Sequence, residues 1–394
     1  MFGILSTLKL RGDRTIWLIV GILTLLSMMV VYSATGTLAY KARGGNTEYF
    51  LLKHGALALF GLYVMYLAHR IPHRYFSRMA QVGLWISIPL LVYTLVKGTS
   101  LNEASRWITI PIINQTFQSS DLAKLALIMY LARVLAKRQD DIKNFQQAFL
   151  PAIVPVGLVC MLIAPANLST AMMVFFTSLM VMFIGRISLR QIGLMLVVGS
   201  LVLSTFVFVS YQSGWFRAKT WVSRVENFLA PTTEQPEVFQ TQQAKIAIAT
   251  GGLIGKGPGN STQRNFLPHP YSDFIYATVI EEYGLVGGAF VMLLYLGLLY
   301  RVTRIVIKAP QAFGALLAMG LAISLVIQAV VNMAVAVNLF PVTGQTLPLL
   351  SMGGTSIIFT SLAFGIILSV SREIESEENE TDSSSLKADL NVAV

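Results

Sequence analysis

Apolar residues in this chain come in long uncharged blocks separated by short charged joins. The blocks 16–32, 79–96, 168–185 and 192–211 each approach the roughly 20 residues that a helix needs to cross the hydrocarbon core. The stretch 311–371 holds no charged residue at all and is long enough for two spans. The pattern predicts ten spans, near 15–33, 52–69, 79–97, 120–137, 148–164, 168–185, 191–211, 274–300, 312–338 and 348–370. The first run exceeds the apolar core of a usual signal peptide and is expected to be retained. The expected fold is an all-α integral membrane domain over 1–372, with one long outer loop, 212–273, between the seventh and eighth spans. The tail 373–394 is acidic, contains serines and lacks aromatics, so it is expected to be disordered.

Composition agrees with this pattern. Hydrophobic residues make up 55% of the chain, charged residues 12%, and the mean hydropathy is +0.66. A soluble domain carries about 25% charged residues, so the bilayer is the remaining solvent. The net charge of +10 could signal nucleic acid, but aromatic and basic residues do not interleave as on a nucleic-acid platform. Topology explains the charge better. With the N-terminus inside, the cytoplasmic segments hold 17 lysines and arginines and the outer ones 11, six of them in the long loop. Long loops count little in this rule, so both termini are expected in the cytoplasm. Cys160 is the sole cysteine, and the four histidines do not cluster with it. That excludes an intrachain disulfide and a structural zinc site.

The long outer loop contains Trp215, Phe216, Trp221, Phe228, Phe239 and Phe266. Such residues pack onto a bundle or the lipid interface, and the loop is expected to be ordered. Of the 19 carboxylates, nine lie on the outer side or in the membrane: Glu48, Glu103, Asp121, Glu226, Glu234, Glu237, Asp273, Glu281 and Glu282. Asp121 and Lys124 are one helical turn apart at the start of the fourth span, so they share a face. They form either a plain intrahelical ion pair or a cationic contact for an anionic substrate, held by Asp121. Glu281 and Glu282 point about 100° apart on the eighth span, and a buried anchor suits them better than catalysis. Asp273 ends the run Leu267-Pro268-His269-Pro270-Tyr271-Ser272-Asp273 at the loop–span junction. It stands at an expected N-cap position, and also where a general base for lipid-anchored chemistry belongs. The glycine run 251–259, with Gly257 and Gly259, lacks the GxxxxGK[ST] phosphate-loop pattern. Its glycines instead permit close backbone approach to lipid, helix or pyrophosphate.

Four blocks make the sequence resemble the shape, elongation, division and sporulation (SEDS) family, and its division branch above all. They are Arg106-Trp107-Ile108 with the run 117–125; Gln240 and Gln243 ahead of the glycine run; the stretch from Gly257 through Ser272-Asp273 to Glu281-Glu282-Tyr283-Gly284; and 341–354, PVTGQTLPLLSMGG. Asp121 stands where the family usually has glutamate, Asn167 where many members have aspartate, and Met352 where tyrosine is common. The resemblance implies polymerisation of lipid II into glycan strands at the outer face of a bacterial plasma membrane, during division at the septum. It implies a class B penicillin-binding transpeptidase, lipid and other division proteins as partners. Asp273 would be catalytic, with Lys124, Arg106, Asp121, Arg224 and Gln243 around the substrate and Glu281, Glu282, Gly257 and Gly259 in support. The small residues Gly314, Ala315, Ala318, Gly320 and Ala322 are expected to meet the partner's helix.

The implied chemistry is economical. Pyrophosphate on the donor sugar C1 leaves readily once its charge is balanced, so no general acid of the glycosidase kind is required. One carboxylate base and a basic rim suffice. No metal site is expected from the ligands present; a divalent cation on the pyrophosphate is compatible with Asp273, although no ligand cluster argues for it. Two alternatives remain open from sequence: a lipid II flippase, which needs ionisable residues through mid-depth, and a noncatalytic division scaffold.

Overall fold

The computed structural model describes residues 11–101, 104–110, 115–213, 218–230, 236–268 and 270–392. Its first helices are α1 (Arg14–Ala34), a short α2 (Gly36–Arg43), α3 (Thr47–Arg70) and α4 (His73–Lys97). Strands β1 (Thr99–Leu101), β2 (Ala104–Ile110) and β3 (Gln115–Gln118) precede α5 (Ser119–Lys137). Then come α6 (Leu150–Ile163), entered through a π-helical turn, α7 (Leu168–Ile184) and α8 (Leu189–Ser213). The long loop after α8 carries α9 (Ala218–Leu229) and α10 (Pro236–Gly251), and α11 (Ile275–Lys308), α12 (Ala312–Ala336) and α13 (Gly354–Val392) follow. Ten of these helices, α1, α3 to α8 and α11 to α13, coincide with the ten expected spans. Eight are long and apolar enough to cross a membrane by length and composition. The other two are α7, which is apolar but only 17 residues long, and α5, which carries Asp121, Lys124, Arg133 and Lys137.

Two local features depart from the sequence reading. The join between α4 and α5 is an antiparallel sheet in the order β1-β2-β3, with Trp107 opposite Gln118 and Ile108 opposite Phe117. Its Arg-Trp-Ile-Thr-Ile run is rich in the β-branched and aromatic residues that suit a pleated surface. The tenth span starts at Gly354 rather than 348. The residues before it form an irregular segment in which Gly344 and Leu349 adopt positive φ (66° and 62°).

Packing is uneven. In α12 and α13, 72% of the apolar window is buried inside the bundle, against 6% in α8. The small residues of α12 explain its depth: Ala318 and Ala322 are fully buried, and a Cβ at Gly320 would meet Ile128 at 2.8 Å and Val181 at 3.0 Å. Small residues let helices approach closely, and here the approaching helices are the chain's own α5 and α7. This corrects the expectation that these positions face a partner.

Where it is described, the long loop packs onto the bundle. Trp221 is buried against Phe206 of α8, ring centroids 5.8 Å apart, while Trp215 and Phe216 lie outside the described residues. Residues near the two ends of the described chain are tied together. Asp13 caps α1 through Thr15 N–H (2.9 Å) and pairs with Arg301. Glu375 accepts from Gly12 N–H (2.7 Å), and His73 contacts Glu373 at 2.6 Å. Contacts of the described residues reach Glu375, and α13 runs on to Val392.

Candidate active site

Asp273 sits in a non-helical turn whose backbone is clamped from elsewhere in the fold. Three successive carbonyls, those of Tyr271, Ser272 and Asp273, accept hydrogen bonds from Met352 N–H (2.8 Å), Ser351 Oγ (2.7 Å) and Asn332 Nδ2 (2.9 Å). The irregular segment before α13 supplies the first two. That segment is itself pinned to four helices: Ser27 of α1 donates to Leu350 O (2.8 Å), and Tyr295 of α11 to Pro348 O (2.6 Å). Gln345 Nε2 donates to Thr170 of α7 (2.8 Å), and Gln328 of α12 donates to Thr346 O (2.9 Å). Asn167, the departure from the family aspartate, caps α7 through Thr170 N–H at 3.3 Å.

The Asp273 side chain is half-buried and its Oδ1 accepts from Ser272 Oγ at 2.8 Å. Helix α11 begins at Ile275, with Phe274 at the cap and no side-chain cap bond, so Asp273 is not the N-cap. Its charge lies close enough to act on Tyr271: burial first, then the Asp273 carboxylate, push the Tyr271 phenol above its ordinary pKa.

Lys124 and Asp121 meet as expected, at 3.6 Å, and Lys124 Nζ also donates to Gln328 Oε1 at 2.7 Å. Asp121 is buried, and its Oδ2 has no hydrogen-bond partner among the described residues. Both line a cavity between α5, α12 and α13 together with Ser324, Ser356, Thr360 and Phe359. A charge inside a span is costly, at least about 2.5–3.5 kcal/mol on insertion scales, and here Asp121 and Gln328 offset that cost for Lys124.

Glu281, Glu282 and the glycines build a separate cage. Glu281 is fully buried and accepts from Lys256 Nζ (2.6 Å), Ser261 Oγ (2.5 Å) and Thr262 N–H (3.0 Å). Glu282 accepts from Ser33 of α1, whose carbonyl and hydroxyl are held by Arg264 at 3.0 and 2.9 Å. At Gly284 (φ 71°, ψ −176°) α11 is broken. The freed backbone groups are taken up by the glycine run: Lys256 and Gly257 N–H donate to Glu281 and Glu282 O (3.0 and 2.9 Å), and Leu285 and Val286 N–H to Gly252 and Leu253 O (2.9 and 3.2 Å). Irregular backbone is tolerated at membrane depth only where protein re-satisfies it in this way. A Cβ at Gly255 would lie 2.3 Å from Glu282 O, and Gly257 and Gly259 adopt φ of 92° and 79°. The close approach is therefore to helix.

Of the remaining candidates, Arg224 lies half-buried on α9 and Gln243 half-buried on α10. Arg106 is on β2, its side chain outside the described residues, as is His269. Among the described residues no three His, Cys, Asp or Glu side chains converge to hold a metal. Sequence reasoning missed Gln328, Asn332 and Ser351. A signal existed: Gln328 and Asn332 are amides in a span with no charged residue.

A family model described as cell cycle protein, of the FtsW, RodA and SpoVE type, matches residues 13–376. The chain belongs to this family. Relatives include a probable peptidoglycan glycosyltransferase FtsW of Geobacter sulfurreducens, 34% identical over 93% of this chain and 96% of the relative. The stage V sporulation protein E of Bacillus subtilis is 32% identical over 93% of this chain and 99% of its own length. Among solved structures, a chain of a peptidoglycan synthase complex that coordinates polymerization and crosslinking superposes with TM-score 0.72 at 26% identity, over 92% of this chain and 98% of that one. The rod shape determining protein RodA of Thermus thermophilus gives 0.66 at 25% identity, over 92% and 97%. The family fold is thus shared along nearly the whole chain.

Proposed function

We propose that this protein is a peptidoglycan glycosyltransferase that polymerises lipid II at the outer face of the plasma membrane during division. The observation that carries the mechanism is the placement of Asp273. Its carboxylate stands at the outer end of α11 on a clamped turn, linked through Gln328 and Asn332 to the cation Lys124. In the transfer, the acceptor 4-hydroxyl oxygen bonds to the donor sugar C1 with inversion. The bond from C1 to the pyrophosphate oxygen breaks, and the undecaprenyl diphosphate leaves with the electron pair. The hydroxyl proton passes to Asp273. Lys124, with Arg106 and Arg224, balances charge on the leaving group, where charge-assisted bonds are strongest. Asp121 orients Lys124, and Gln243 contributes to the substrate face. Base catalysis supplies about 10²–10⁴-fold; the rest comes from holding donor and acceptor together and from stabilising the departing diphosphate.

Both termini lie in the cytoplasm in this reading, and the protein works at the septum with a single-span class B penicillin-binding transpeptidase and other division proteins. Crosslinking falls to that partner. Since the small residues of α12 are occupied within the bundle, the partner docks on a lipid-facing surface instead. The deciding experiment gives the purified protein, with and without the transpeptidase, labelled lipid II in bilayers. Glycan strands are expected. Lipid II moved between leaflets without strand formation would make the protein a flippase, and neither outcome would make it a scaffold.

A further inference from the structure

Gln328 and Asn332 are four residues apart on α12, so they project from one face of the helix. They are 4% and 1% exposed, in a helix with no charged residue. Buried amides persist where their hydrogen bonds are made, and these two are used in parallel. The Gln328 amide accepts from Lys124 Nζ (2.7 Å) and donates to Thr346 O (2.9 Å). The Asn332 amide donates to Asp273 O (2.9 Å) and to Gln345 O (2.6 Å). Since both Asn332 partners are carbonyls, only its NH₂ group can serve them. Thus each amide grips one of two adjacent carbonyls in the irregular segment. With its other contact one holds the cation and the other holds the backbone of the carboxylate.

This rests on the reading of Lys124 as the phosphate-holding cation and Asp273 as the base. We infer that Gln328 and Asn332 are positioning residues for glycosyl transfer, a paired gauge on α12 that fixes the separation between Lys124 and Asp273. Neither touches the reacting atoms. Their roles are unequal, and that asymmetry separates positioning from mere core packing. Asn332 acts on the base, so its loss falls on the chemical step. Gln328 acts on the cation that holds the lipid-linked donor, so its loss falls on binding.

The experiment measures strand synthesis from lipid II by the full-length protein with its transpeptidase partner, together with thermal unfolding of each variant. Asn332→Leu is expected to lower kcat by about 10²-fold, the cost of a misplacement near 1 Å, with KM within about twofold. Gln328→Met is expected to raise KM about tenfold and to lower kcat less than Asn332→Leu does, since Lys124 holds the donor's diphosphate before it departs as well as during departure. Two conservative variants keep the test decisive if the apolar ones fold poorly. Gln328→Glu still accepts from Lys124 but loses the donor to Thr346 O, so its KM should fall between those of Gln328→Met and the wild type. Asn332→Asp keeps the shape but offers acceptors to two carbonyls, and should stay as slow as Asn332→Leu. The inference is overturned if all four variants lose kcat and KM together in proportion to a lowered unfolding temperature, or if Asn332→Leu and Gln328→Met both turn over normally. Asp273→Asn, run alongside, separates the failures. Turnover that survives Asp273→Asn removes the base itself, whereas an inactive Asp273→Asn beside a normal Asn332→Leu removes only the amide pair.

Discussion

Glu281 and Asp273 are two carboxylates eight residues apart, and the fold treats them in opposite ways. Glu281 is fully buried, with Lys256, Ser261, Thr262 and Gln263 all donating to its two oxygens. Its backbone carbonyl takes Lys256 N–H across the break at Gly284. Asp273 has its backbone fixed by Asn332 while its half-buried side chain takes a hydroxyl from its neighbour Ser272. The first arrangement fastens a loop to a broken helix. The second fixes the position of a carboxylate through the main chain. The donors on Glu281 act on its side chain, whereas the clamp on Asp273 acts on its main chain.

The sharpest way to break this comparison is Asp273→Asn. Strand synthesis should fall by about 10²–10⁴-fold, the range of base catalysis, with the unfolding temperature unchanged; a fully active variant would refute the assignment. Glu281→Ala should do the reverse. Leaving Lys256 without its buried partner costs about 3–5 kcal/mol of stability, read as a lowered unfolding temperature, while the molecules that remain folded keep their KM for lipid II. Gly284→Ala probes the same anchor more gently. A side chain at φ 71° and ψ −176° adds about 1–3 kcal/mol of strain, and a Cβ 2.1 Å from Leu253 O forces the glycine run away. A lowered unfolding temperature and faster proteolysis after residue 251 should report it. The smallest effect belongs to Ser272→Ala. Removing one hydroxyl from Asp273 costs about 0.5–1.5 kcal/mol, a loss of a few-fold in kcat with stability intact.

Much of the architecture was legible because the bilayer imposes it. Uncharged blocks of near-spanning length have one stable arrangement, and all ten reappear as helices. Other parts were not legible for identifiable reasons. The strands in 99–118 lie in a join too short and mixed for periodicity to speak. Asp273 looked like a cap because sequence shows adjacency to a helix but not where its first turn closes. Ala318 and Ala322 looked like a docking face because a small residue permits close approach without saying which helix approaches. The hydropathy of α8 and α12 is nearly the same, 2.5 and 2.3, yet their buried shares are 6% and 72%.

The sequence by itself determined the membrane class, the number of spans and the family, and it singled out Asp273, Lys124 and the glutamate pair as candidates. Those follow from local quantities, namely hydropathy over about 20 residues, charge bias between joins, and motif spacing. Only the tertiary structure decided which carboxylate is caged and which helix lies at the centre. It alone showed that residues 345–352 hold a turn near residue 272 in place. The cage around Glu281 closes over 18 to 25 residues, whereas the clamp on the turn joins groups 59 to 79 residues apart, from Asn332 to Asp273 and from Ser351 to Ser272. Such partners are chosen by helix packing, which no stretch of sequence encodes alone.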